Sequence, residues 1–168
     1  MSMDPQALLQ WLYDTPVGTA IRENGTLFPW IESVHVLAIT LVVGSISIVD
    51  LRLLGVASKS RAVSRLTAEV LPFTWVCFVV AATTGGLLFS SNAVKYAHNT
   101  FFLAKMALLV VAFANMMVFH VITSRGIERW DTSPHTPPAA KLAGGVSLAL
   151  WLAIIVVGRW IGFTMSAF

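Results

Sequence analysis

Residues 29–50 read PWIESVHVLAITLVVGSISIVD, an apolar run interrupted by the ionisable groups Glu32, His35 and Asp50. As a helix this run is long enough to cross a bilayer core of about 30 Å, which takes roughly 20 residues. Three more stretches of the same kind follow, at about 70–91, 101–123 and 142–165. The composition agrees with that reading. Hydrophobic residues make up 57% of the chain and charged residues 11%, with a mean hydropathy of +0.78, whereas soluble chains average about 25% charged. A chain of 168 residues is one domain by length, so the apolar surplus cannot be divided among several cores and must face lipid. The expected fold is all-α, an integral membrane four-helix bundle forming a single domain over residues 1–168.

The segment before the first span has its own signals. Met1 to Ile21 holds no basic residue, so it does not read as a secretory leader and is expected to stay on the mature chain. Asp4-Pro5 and Thr15-Pro16 are both helix starts, and Asn24-Gly25 is a stop. Residues 5–24 are therefore expected to form two short helices lying at the membrane interface, with Leu8, Leu9, Trp11 and Leu12 on the apolar side of the first.

Basic residues set the expected orientation, because Lys and Arg are retained on the cytoplasmic side. The loop after the first span holds Arg52, Lys59, Arg61 and Arg65, and the loop after the third holds Arg125, Arg129 and Lys141; the opposite side has Arg22 and Lys95. Both termini are thus expected on the outer side, with the two basic loops facing the cytoplasm. The net charge of +3 is a topology signal in so apolar a chain, and no nucleic-acid partner is expected. The lipid bilayer is the expected partner, with a homo-oligomer or a larger membrane complex left open. The single cysteine, Cys77, allows neither a disulfide nor a thiol metal pair.

Small residues permit close helix approach in lipid, and each span carries some: Gly44-Ser45-Ile46-Ser47, Thr83-Thr84-Gly85-Gly86, Ala112 with Ala114, and Gly144-Gly145. Trp30, Trp75, Trp130 and Trp160 fall near the expected span ends, where amphipathic rings prefer to sit. Ionisable groups inside a span are expensive and point to function by default. At about 1.5 Å rise per residue, His35, Lys105 and Arg159 lie roughly 6 to 9 Å below the outer surface, with Glu32 just above. These four form an expected outer polar cluster. Asp50 and His120 come out about 28 Å from the outer side, with Arg52 and Arg125 nearby, and form an expected inner cluster. The charges of spans one and three lie on one stripe of each helix, so those two spans are expected to face each other.

Two functional readings fit these residues. In the redox reading, His35 or His120 is an axial ligand to haem b, or a metal ligand, while Lys105, Arg159 and Arg52 meet the propionates. His35 and His120 differ by about 20 Å in depth and cannot share one haem, so Met106, Met116, Met117, His98 or His135 are the candidate second ligands. In the structural reading the charges pair and fix helix register in an accessory subunit. A proton or metal transport role is a third option, opposed by Ile39, Val42 and Ile46 between the clusters. No nucleophile motif, phosphate loop or thiol metal motif is present, so no catalytic residues are assigned and an electron-transfer subunit is preferred to a stand-alone enzyme.

The residues also carry a resemblance. Trp11, the run Thr15-Pro16-Val17-Gly18-Thr19, Phe28-Pro29-Trp30-Ile31-Glu32 with His35, Asp50-Leu51-Arg52-Leu53-Leu54-Gly55, Leu71-Pro72-Phe73-Thr74-Trp75, Lys105, Asn115 with Phe119-His120, and Gly158-Arg159-Trp160-Ile161 stand along nearly the whole chain. In these the chain resembles an uncharacterised family of four-helix bacterial inner-membrane proteins, a domain of unknown function. The resemblance implies the four-span fold and implies no activity. By helix count and histidines alone, the chain is more loosely similar to membrane b-type cytochromes and to CopD-type copper-resistance membrane proteins.

Overall fold

The computed structural model describes residues 4–123, 125–133 and 135–166. Two short helices come first, α1 (Pro5–Tyr13) and α2 (Pro16–Glu23). Each begins as its sequence dictates: the Asp4 carboxylate accepts from the Gln6 amide at 3.1 Å and the Thr15 hydroxyl from the Gly18 amide at 3.2 Å, with proline in the first turn of both helices. Arg22 then fixes this hairpin to the bundle. Its guanidinium donates to the carbonyls of Tyr13 and Ser91 at 2.9 and 3.0 Å and lies 3.7 Å from the centre of the Tyr13 ring.

Four helices are long and apolar enough to cross a membrane: α3 (Leu27–Leu53), α4 (Val63–Ser91), α6 (Thr100–Val118, continued by a π-helical turn at Phe119–Thr123) and α7 (Pro138–Ser166). A short α5 (Ala93–Ala97) joins α4 to α6. The expected spans lie within these helices, but α4 begins earlier than expected, at Val63. Trp75 consequently sits in the body of α4, not near its end. Pro137 precedes α7 and Pro138 opens it; Pro134 lies outside the described residues, as does the C-terminal Phe168.

Many outward side chains on the long helices are apolar, including Val36, Leu37, Val76, Val79, Val110 and Val156, as a lipid-facing surface requires. Inside, α3 packs along α4 and along α7, and α6 packs along α7. Spans one and three, α3 and α6, are therefore diagonal partners that face each other across the bundle without packing side by side. Polar ties reinforce these seams. The hydroxyls of Ser45 and Thr74 meet at 2.8 Å between α3 and α4, and the Asn115 amide donates to the Ala143 carbonyl at 3.1 Å between α6 and α7. At the α5 end α4 meets α6 through aromatic rings, Phe89 stacking on Phe102 with centroids 5.3 Å apart. Below that stack α4 and α6 share no packed face of the kind the other seams have.

Candidate functional site

The outer group is smaller than the sequence suggests. His35 leans from α3 onto α4, where its Nδ1 lies 2.8 Å from the Ala81 carbonyl and 3.0 Å from the Thr84 hydroxyl. A carbonyl can only accept, so Nδ1 carries the proton. Gly85 makes the room for this ring, since a Cβ there would stand 2.9 Å from His35 Cε1. The Lys105 ammonium acts electrostatically on the same ring from α6 and rests over Gly158 of α7, 3.6 Å from where a Cβ would be. His35 and Lys105 thus come together, each seated against a glycine. Glu32 and Arg159 do not join them. Both are exposed; the Glu32 charge acts on Tyr96 of α5, and the Arg159 guanidinium lies 4.9 Å from the centre of the Phe163 ring. Tyr96 is pushed above the usual phenol range, chiefly by its burial and then by Glu32.

At the other end Arg52 is fully buried, although it lies at the last turn of α3. Its Nε donates to the Arg61 carbonyl at 2.8 Å, its Nη2 to the carbonyls of Asp131 and Ser133 at 3.1 and 3.2 Å, and its Nη1 to the Thr136 hydroxyl at 3.4 Å. One guanidinium fork therefore binds both basic loops together. A role against haem propionates does not suit Arg52, because these donors are committed to loop oxygens. Asp131 completes the junction. The residue before α4 is Ala62, which cannot cap a helix, and the Asp131 carboxylate instead accepts from the Ser64 amide at 2.8 Å and from the Ser64 hydroxyl. Burial pushes the Asp131 carboxyl up, but the hydrogen bonds from Ser64 outweigh it and hold the group below the usual carboxylate range.

Asp50 and His120 are brought to one place, a cavity of about 150 Å³ lined by α3, α4, α6 and α7. Asp50 is 4% exposed, the Ser147 side chain interacts with its carboxyl, and its Oδ2 is buried with no hydrogen-bond partner. Among the described residues, one other buried side-chain polar atom lacks a partner, Thr67 Oγ1, and Thr67 lines the same cavity. Unpartnered buried groups of this kind are rare and cost about 1–3 kcal/mol each. His120 and Met116 also reach the cavity wall, His120 with its Nδ1 against the Met116 carbonyl at 2.9 Å. The remaining wall is largely apolar. On the α4 and α6 side it is formed by Trp75, Phe78 and Phe113, all substantially exposed, so the cavity opens sideways toward lipid where those two helices fail to pack. Sequence reasoning missed Thr67, Ser147 and Asp131 because it searched for ionisable groups within spans; two of these are neutral and the third is in a loop. His98 and His135 are exposed and lie outside this cavity. Among the described residues no three His, Cys, Asp or Glu side chains converge as a metal-binding group.

Fold and site together define a small all-helical membrane protein with a laterally open polar-ended cavity. The chain belongs to a family of unknown function, DUF6644, whose pattern it matches over residues 9–164. No curated protein and no solved structure matches it, and similarity to b-type cytochromes or CopD-type proteins is not shown.

Proposed function

We propose that the protein is a small integral membrane subunit that receives a lipid-soluble molecule from the bilayer into the cavity between α4 and α6. The observation that carries this reading is the coincidence, in one laterally open cavity, of apolar walls with two buried unpartnered oxygens, Asp50 Oδ2 and Thr67 Oγ1. Apolar walls favour an apolar body, and a few convergent polar groups orient it. The test is to purify the chain in nanodiscs, extract bound small molecules and identify them by mass spectrometry. A stoichiometric lipid-soluble compound, lost when Ala112 in the cavity wall is replaced by Trp, is the expected result; an empty or unselective extract overturns it.

A second reading, an electron-transfer subunit carrying haem b, is favoured by the presence of His120 and Met116 at the cavity. These are suitable iron donors. They stand one turn apart on one helix face, however, so they cannot occupy opposite faces of a single haem. In this reading His120 is the one axial ligand a chain supplies, a second copy or another subunit completes the site, and Arg52 takes no part. A Soret band that shifts on dithionite reduction, and disappears in His120→Ala, is its signature. For orientation we propose the bacterial inner membrane with both termini outside, because the basic residues concentrate in the two loops that Arg52 joins. A reporter fused after Phe168 is then active on the periplasmic side, and cytoplasmic activity reverses the assignment.

A further inference from the structure

We infer that the molecule held in the cavity carries a hydroxyl head group, bound between Asp50 and Thr67. This inference rests on the cavity reading above and adds the chemistry of the ligand. Asp50 lies within one turn of the end of α3 and Thr67 within about one turn of the start of α4. These helix ends are neighbours in an antiparallel pair, so the two unpartnered oxygens stand at the same end of the cavity, at the loop side of the membrane. A carboxylate oxygen accepts hydrogen bonds, while a threonine hydroxyl has a proton to give. A hydroxyl satisfies both, donating to Asp50 Oδ2 and accepting from Thr67 Oγ1. A phosphodiester head and a methyl ether alike have no proton to donate to Asp50. The rest of the cavity fits the body of the same molecule. Val42, Phe78 and Trp151 line the part nearer the bilayer middle, and the gap between α4 and α6 lets an apolar chain run out into lipid. The ligand therefore lies as lipids lie, head at the membrane boundary and tail inward.

Water can satisfy the same two oxygens, but it leaves the apolar remainder of the cavity, walled by Val42, Phe78 and Trp151, unfilled. The probe is 4-octylphenol, with its methyl ether 4-octylanisole as control, titrated calorimetrically into the full chain in nanodiscs and corrected against empty nanodiscs. The phenol is expected to bind saturably and about tenfold more tightly than the ether, the difference one buried hydrogen bond supplies. Thr67→Val keeps the shape and removes the hydroxyl. It is expected to weaken the phenol roughly tenfold, to weaken the ether as well, since an ether oxygen also accepts from Thr67, and to raise the melting temperature of the empty protein slightly, because an unpartnered polar atom is gone. Asp50→Leu is expected to remove the preference for phenol over ether; should that variant fail to fold, Thr67→Val still decides. Equal affinity for phenol and ether, or an unchanged phenol affinity in Thr67→Val, overturns the hydroxyl assignment and leaves the cavity reading standing. Absence of saturable binding for both probes overturns the cavity reading and this inference with it.

Discussion

The ring of His35 and the missing side chain of Gly85 occupy one volume: the Cε1 atom lies 2.9 Å from where a β-carbon at position 85 would be. The ring cannot simply swing away, because its Nδ1 is held by the Ala81 carbonyl and faces the Thr84 hydroxyl. Alanine is ordinarily the better helix residue by about 1 kcal/mol, yet Gly85→Ala is expected to destabilise the bundle by about 1–2 kcal/mol, since overpacking outweighs that gain. Thermal unfolding in detergent followed by circular dichroism measures it. Adding His35→Ala to Gly85→Ala is expected to recover part of the loss; additive losses would show that the two positions do not share space.

Gly144 and Gly145 are adjacent and should behave oppositely. A Cβ on Gly144 would meet Leu53 Cβ at 3.0 Å and the Asp50 carbonyl at 3.1 Å, whereas one on Gly145 would meet Leu54 Cδ2 at an ordinary 3.6 Å. Gly144→Ala pushes α7 off α3 and is expected to lower stability by about 1–3 kcal/mol. Gly145→Ala is expected to be neutral or slightly stabilising. The comparison of the two melting curves is the check, and equal behaviour would refute the close approach of α7 to α3 at this level.

Arg52 joins the two basic loops through four hydrogen bonds. Arg52→Ala leaves those neutral oxygens without their donor and is expected to cost about 1–3 kcal/mol for each that water does not reach. Arg52→Lys keeps the charge but loses the planar fork, so it should rescue little. Limited proteolysis reads this directly. Both variants are expected to be cut within residues 56–62 and 131–137 far faster than the parent, and a lysine variant as resistant as the parent would refute the fork.

Asp131 predicts a pH dependence. Its carboxyl is held below the usual range in the folded protein, so its contribution is present in full above the unfolded value, near pH 4, and is lost as pH falls through the lower folded value. This contribution should be constant from about pH 5 to pH 8 and decline below about pH 4. Asp131→Asn is expected to lose about 0.5–1 kcal/mol at neutral pH, the worth of a partly screened cap, and to lack that acid limb. An unchanged acid limb in the variant would assign it to another carboxylate.

The comparison of sequence with structure divides along physical lines. Helices, caps and spans were legible because they depend on local composition, as at Asp4-Pro5 and Thr15-Pro16. That Asp50 and His120 sit at one level was also legible, from rise per residue. Azimuth was not. Counting 100° per residue from Lys105 to His120 assumes an unbroken α-helix, and the π-helical turn at Phe119–Thr123 breaks that count. The cap of α4 was invisible for another reason, since Asp131 is 67 positions from Ser64. Arg52 read as an available cation because its acceptors are backbone carbonyls, which every residue has and no sequence advertises. Thr67 was passed over because a neutral side chain becomes conspicuous only when its neighbours fail to bond it.

The unpacked stretch between α4 and α6 has a consequence for handling the protein. A bundle that leaves one side to be finished by whatever lies beside it has no stability of its own to quote, because its solvent is one of its parts. Acyl chains that fit the opening are expected to stabilise α6 against the bundle, and chains too short or too bulky to stabilise it less. Melting temperatures are thus expected to rank detergents by tail shape more steeply than by head group, and the same sensitivity in a living membrane would make the protein responsive to lipid composition.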